Sequence, residues 1–255
     1  MNIAKATILY FTGRETTKQY AEVFAQSLPY ENNLQEIRHD NSLALDLGEQ
    51  DLLVLAGPVY AGFMSPFIWK QLENVTGHNT PTVLIAVYGA RDYDNALLEM
   101  DHALAEKGFT TVGGAAVVAR HSIAPTIAEN RPSKNDLSEI EQFAQTIADR
   151  LSATTSINEV KSFNFKGALQ NNYQGGPIPH ANEECVECGI CAKECPAAAI
   201  PQDNPKTSRD DLCISCMRCV GVCPHDARSL PEEVITLATE KLQRIADSNK
   251  PNEFF

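Results

Sequence analysis

Two cysteine runs constrain this chain more than any other feature. Residues 185–196 read C-V-E-C-G-I-C-A-K-E-C-P and residues 213–224 read C-I-S-C-M-R-C-V-G-V-C-P. Both have the form C-x2-C-x2-C-x3-C-P, and all eight cysteines of the chain lie in them. Cys185, Cys188, Cys191 and Cys195 recur 28 residues later as Cys213, Cys216, Cys219 and Cys223. A fixed period of this kind marks an internal repeat. The fold must therefore gather sulfur at two places, in a stretch with little apolar material to pack.

Soft thiolate ligands suit iron–sulfur chemistry, and x2 spacings let three cysteines wrap one face of a cube. Zinc usually takes pairs of C-x2-C rather than three cysteines in a row followed by C-P. Over about residues 181–230 the sequence resembles the bacterial two-cluster ferredoxins. In those proteins the cysteine before proline ligates the other cluster. The resemblance implies two 4Fe–4S clusters, one on Cys185, Cys188, Cys191 and Cys223, the other on Cys213, Cys216, Cys219 and Cys195. His225, after the second C-P, reads as a surface residue, because eight thiolates already complete two sites.

The remaining sequence is long enough for a second domain. The chain has 255 residues, 43% of them hydrophobic, so a sizeable core can form. No apolar run approaches the roughly 20 residues of a membrane span. Met1 to Lys5 leads straight into a strand-like run rather than a signal peptide, so a cytoplasmic, reducing location is expected. The formal charge of −12 is spread along the chain. It argues against nucleic acid as a partner and permits steering toward basic faces of redox partner proteins.

Upstream of the cysteines, buried strands alternate with helices. Ala6–Phe11, Leu34–Arg38, Leu52–Ala56, Thr82–Tyr88 and Ala115–Ala119 read as strands. Helices are expected around Ala21–Leu28 and over Phe67–Val75, Asp94–Lys107 and Leu137–Leu151. Near-continuous apolar strands separated by helices mean a parallel sheet covered on both faces. Five such units suit an α/β, doubly wound, flavodoxin-like sheet of order 2-1-3-4-5, whose ligand sits beyond the carboxyl ends of the strands. The expected layout is this domain at residues 1–153, a linker at 154–180, a small α+β two-cluster ferredoxin domain at 181–230, and a C-terminal helix and tail at 231–255.

Three strand-end loops carry a further resemblance. Tyr10–Thr17, Y-F-T-G-R-E-T-T, resembles the flavodoxin phosphate loop, with Thr12 and Thr17 at the outer hydroxyl positions and Gly13 and Thr16 between them. It departs from that loop at Arg14, which can pair a phosphate, and at Glu15, which would repel one unless turned outward. Gly57–Pro66 is similar to the G-x-P-V-Y-x-G…P segment of flavodoxin-like domains. There Pro58, Val59, Tyr60, Ala61 and Gly62 would approach the flavin ring, with Trp69 as its neighbour or as core. Tyr88–Leu97 resembles the Y-G-x-R-x-Y-x-x-A-L stretch of a family of flavodoxin–ferredoxin fusion proteins. In that family the loop lines the flavin, which implies FMN contacts from Tyr88, Gly89, Ala90, Arg91, Tyr93 and Asp94. Asp94 is also a candidate cap for the following helix.

Other residues have more local readings. His121, beside Arg120 after the last strand, reads as a loop or capping histidine ahead of a proton relay. Phe163, Phe165 and Tyr173 are expected to pin the linker to a domain. Ile190, Ile200, Ile214 and Val222 are expected to cover the clusters. Ser229 and Glu232 have capping-box spacing ahead of an amphipathic helix with Val234, Ile235, Leu237, Ala238, Leu242 and Ile245. That helix is expected to dock on one of the two domains, with a homodimer contact ranked lower.

The function these features imply is electron transfer between FMN and two 4Fe–4S clusters. The alternative is an iron–sulfur flavoenzyme reducing a small quinone or nitro acceptor. No catalytic acid, base or nucleophile is apparent. The absence of G-x-G-x-x-G after the first strand argues against NAD(P)H as direct donor.

Overall fold

The fold is that of a computed structural model, which describes residues 1–160, 163–169 and 175–255. In chain order the elements are β1 (Lys5–Tyr10), α1 (Thr16–Ser27), β2 (Glu31–Glu36), β3 (Ala44–Leu47), β4 (Asp51–Pro58), α2 (Pro66–Gln71), β5 (Asn74–Gly77), β6 (Thr80–Tyr88), α3 (Ala96–Ala105), β7 (Phe109–Val118) and α4 (Lys134–Ala153). A 3-10 turn (Ile157–Glu159), β8 (His180–Ala181), α5 (Ile190–Glu194), α6 (Arg218–Gly221), β9 (Arg228–Ser229), α7 (Glu232–Gln243) and β10 (Glu253–Phe254) follow.

The main sheet has the order β10-β7-β6-β4-β1-β2. Its five long members pair in parallel, and β2, β1, β4, β6, β7 is the doubly wound order 2-1-3-4-5 of a flavodoxin-like α/β domain. Side chains alternate across it as a two-residue period demands. Leu53, Leu55, Leu84 and Ala86 pack on the face that also holds Ile68 of α2 and Leu97, Met100 and Leu104 of α3. Leu52, Val54, Val83 and Ile85 pack on the opposite face with Tyr20 and Phe24 of α1 and Ile140, Phe143 and Ile147 of α4.

Several local expectations are corrected. The helix expected over Phe67–Val75 stops at Gln71, and Asn74–Gly77 instead forms β5, paired in parallel with β3 in a separate two-stranded sheet. The second strand lies at Glu31–Glu36, in register with all of β1. Asp94 caps nothing. It sits at φ 42° and pairs with Arg91, and Asn95 precedes α3 without a side-chain cap. The Ser229 box is not formed, because Ser229 is drawn into β9 opposite His180 and Pro231 stands at the start of α7. A capping box does form where none was read, between Ser133 and Asp136 of α4.

The sheet also gains a sixth strand, antiparallel, from the tail. Glu253 pairs with Ala116 and Phe254 with Ala115. Arg131 ties this return in place through Asp136 at 2.5 Å and the carbonyls of Ser248 and Lys250. Asn252 donates to Asp136 and Glu139. Linker residues join both apolar layers: Ile157 is buried in the layer of α1 and α4, Phe165 in the layer of α2 and α3, and Phe163 stacks on Phe165 at 5.5 Å. Tyr173 lies outside the described residues. Among the described residues no helix is long and apolar enough to cross a membrane.

Candidate functional site

A cleft of about 260 Å³ opens beyond the carboxyl ends of β1, β4, β6 and β7. The turn after β1 contributes Gly13, Arg14, Thr16 and Thr17. Thr12 is just outside the lining, 1% exposed, with no partner for its Oγ1. Glu15 adopts φ 66°, the left-handed region that favours glycine. Its side chain turns outward and pairs with Lys18 at 3.3 Å. No side chain caps α1, whose 12 residues begin at the cleft. The first N–H groups of a helix lack intrahelical partners and favour anions. Burial, then neighbouring Arg120, lowers the Arg14 pKa.

The turn after β4 contributes Pro58, Val59, Tyr60 and Ala61. Tyr60 and Phe63 close it with mutual backbone hydrogen bonds of 2.8 and 3.1 Å. Gly62 is at φ 92° and packs on Asp94 rather than on the cleft. Trp69 belongs to the core side, where its Nε1 donates to Glu99 at 3.0 Å.

Of the loop after β6, only Tyr88 and Gly89 line the cleft, with Val87 behind them. The Tyr88 hydroxyl is buried and has no hydrogen-bond partner. Ala90, Arg91, Tyr93 and Asp94 lie outside the lining. Ala90 is buried at φ 63°. The Tyr93 hydroxyl donates to Glu253 at 2.8 Å, and Lys166 stands 3.8 Å over its ring. This loop is thus taken up by the returning tail and the linker.

Residues beyond the three loops complete the cleft. Ala119, Arg120, His121, Ser122 and Ile123 follow β7. His121 Nδ1 accepts from the N–H groups of Ile123 and Ala124 at 3.2 and 3.1 Å, which leaves the ring proton on Nε2. Burial, then the Arg91 guanidinium, pushes its pKa down to about 4. Gly175, Gly176, Pro177, Ser215 and Cys216 close the other side. Only the position of His121 and Arg120 after a strand end marked them in the sequence. Nothing local marks Gly175–Pro177 or Ser215, which reach the cleft by tertiary folding.

The eight cysteines surround two further cavities. One is walled by Cys195, Cys213, Cys216 and Cys219, with Ile200, Ile214 and Met217. The other is walled by Cys185, Cys188, Cys191 and Cys223, with Ile190. Val222 lines neither, and His225 is exposed at the rim of the second. The cysteine before each proline accepts a backbone N–H from four residues on: Ala199 to Cys195 Sγ at 3.2 Å and Ala227 to Cys223 Sγ at 3.3 Å. The donor set and this matched geometry fit two four-thiolate clusters.

Cleft and cysteines meet at one junction. Cys216 lines both the cleft and the first cysteine cavity. A Cβ added to Gly13 would run into the carbonyl oxygen of Cys216. Arg218, 4% exposed, reaches from the second cysteine run to donate to the Thr12 carbonyl at 2.5 Å and to Glu36. On the other side Arg38 donates to the Lys193 carbonyl at 3.0 Å, and the His39 N–H to Pro196 at 2.8 Å.

Residues 165–228 match the 4Fe-4S dicluster domain family. The chain thus joins a sheet of flavodoxin-like topology to a 4Fe–4S dicluster domain. It is 35% identical over 72 residues to the polyferredoxin protein MvhB of Methanothermobacter thermautotrophicus, a match covering 28% of this chain and 18% of that protein. Among solved structures, a flavodoxin of Streptococcus pneumonia TIGR4 covers 58% of this chain and 99% of its own at 15% identity, with a TM-score of 0.44. Flavodoxin 2 of Bacillus cereus gives the same coverages and TM-score at 20% identity. At that likeness the sheet's assignment rests on its own strand order.

Proposed function

We propose that this chain is an electron-transfer protein that holds FMN in the cleft and two 4Fe–4S clusters in the cysteine cavities. The observation that carries the reading is the shared wall: Cys216 borders both the cleft and one cysteine cavity. FMN, when bound, can exchange one or two electrons, and each cluster exchanges one. The N–H groups opening α1, the Thr16 and Thr17 hydroxyls and Arg14 suit a phosphate. The partnerless hydroxyls of Thr12, Tyr88 and Ser215 are polar groups in want of a ligand. Tyr60 offers an aromatic face. Cys195, Cys213, Cys216 and Cys219 would hold the cluster beside the cleft, and Cys185, Cys188, Cys191 and Cys223 the outer one. Exposed Val186 and Cys188 beside the outer cavity give redox partner proteins an approach.

Anaerobic purification of the full chain, with iron, sulfide and flavin quantified together, tests this. Eight irons and one FMN per chain are expected. Iron without flavin, under conditions where added FMN also fails to bind, sinks the flavin half of the reading.

A further inference from the structure

Arg228 is the largest of the fully buried side chains among the described residues, 2% exposed. It comes from β9 and lines both cysteine cavities. Its guanidinium is held by four oxygens. Nη1 donates to the Pro179 carbonyl at 3.1 Å and to Ser208 Oγ at 2.9 Å. Nη2 donates to the carbonyls of Pro205 and Thr207, both at 2.7 Å. All four acceptors are neutral. Among the described residues no carboxylate lies within ion-pair distance of Arg228, whereas the other buried arginine, Arg218, pairs with Glu36.

A buried guanidinium without a counter-charge is strongly disfavoured; the four neutral acceptors supply no charge, and Nε has no hydrogen-bond partner among the described residues. The candidate anions are the two thiolate sets on either side of it. Four thiolates outweigh the positive charge of a 4Fe–4S core, so each loaded cavity is anionic, and more so after reduction.

We infer that Arg228 is the shared counter-cation of both clusters and raises the reduction potentials of the two together. This rests on the cluster reading above. The loop Pro205–Ser208 is then a clamp that fixes the charge between the cavities. Hydrogen bonding alone would make Arg228 a scaffold residue with no effect on potential. A positive charge acting on both sites raises each site's affinity for electrons, and its removal lowers both.

The test compares anaerobically reconstituted full-chain wild type, Arg228→Gln and Arg228→Lys in potentiometric titrations followed by electron paramagnetic resonance, with iron content measured in parallel. At the ambient potential where wild-type clusters are half reduced, Arg228→Gln is expected to lower the reduced-to-oxidised ratio of both clusters at least tenfold, equivalent to about 59 mV for a one-electron couple. Arg228→Lys, which keeps the charge and loses the fork, is expected to stay within threefold. Wild-type ratios in an iron-replete Arg228→Gln overturn the inference. If Arg228→Gln loses iron, the inference requires Arg228→Lys to retain it, and equal loss from both overturns it. A wild type without iron overturns instead the cluster reading on which the inference rests.

Discussion

Glu15 shows how a residue that looks wrong for its site can be accommodated. The turn after β1 takes the left-handed conformation there, and Glu15 adopts it at φ 66° with its carboxylate turned out to Lys18. The left-handed conformation costs a non-glycine residue about 1–2 kcal/mol, and the exposed pair with Lys18 returns at most about 0.5 kcal/mol. Glu15→Gly is therefore expected to raise stability by about 1 kcal/mol in urea denaturation; a loss would show that the turn is not strained. His121 is the second case. Its pKa is lowered to about 4 by burial and Arg91, below the ordinary value of about 6.5. Between those values the unfolded chain binds a proton that the folded chain does not, so this group destabilises the fold as pH falls from 6.5 toward 4. His121→Gln, whose amide can still accept the two N–H groups, is expected to flatten unfolding free energy against pH in that window. An unchanged slope would locate the titration elsewhere.

At the scale of elements, the 28-residue repeat is conformational as well as chemical. Left-handed backbone recurs at Glu187 and Ser215, at Gly189 and Met217, and at Ala198 and Asp226. Each pair is 28 residues apart, yet Gly189 is the lone glycine among the six. The cysteine spacing was fully readable, but the turns between the cysteines were not, because residues that do not advertise φ > 0 adopt it. The tail is the other element-scale lesson. An amphipathic helix was legible at 231–245, but β10 was not: a two-residue strand has no period, and its place depends on an open edge at β7 and on Arg131 more than a hundred residues earlier. Removing residues 252–255 strips two edge pairs, the Tyr93–Glu253 bond and the packing of Phe254 on Phe143 and Phe255 on Phe165. The expected cost is about 2–4 kcal/mol, read in urea denaturation as destabilisation of the sheet domain; unchanged sheet stability would make β10 a passive attachment.

For the whole molecule, the two parts are held by different means. The sheet domain has two apolar layers of its own. The cysteine segment has one small cluster among the described residues, Ala192, Ala199 and Ile200 around Cys191 and Cys195, with Leu212 packed against it. A segment so poor in core depends on metal for its fold. Stripping iron from the full chain with a chelator is expected to abolish amide protection over residues 181–230 while β1, β4 and β6 keep theirs, as hydrogen-exchange mass spectrometry would show. Retained protection across the cysteine runs would mean that their fold is independent of metal. The chain also doubles back. The linker stays on the sheet domain as far as Ala168, whose N–H donates to Asn95, the chain returns to the sheet through β10, and the cysteine segment meets the β1 turn at Thr12 and Gly13 and the end of β2 at Glu36.

The sequence by itself determined the periodic and local features: the eight thiolates and their repeat, the five parallel strands, and the glycines and hydroxyls of the first turn. These depend on residue type and short spacing, which a linear chain displays. Tertiary structure alone decided which strand-end residues face the cleft. It turned Tyr93 toward the tail and linker, paired Arg91 with Asp94 outside the cleft lining, and brought in Gly175–Pro177 and Ser215. It also placed Cys216 on a wall common to the cleft and one cysteine cavity. Such choices depend on contacts between residues as far apart as Thr12 and Arg218, which leave no pattern in either segment alone.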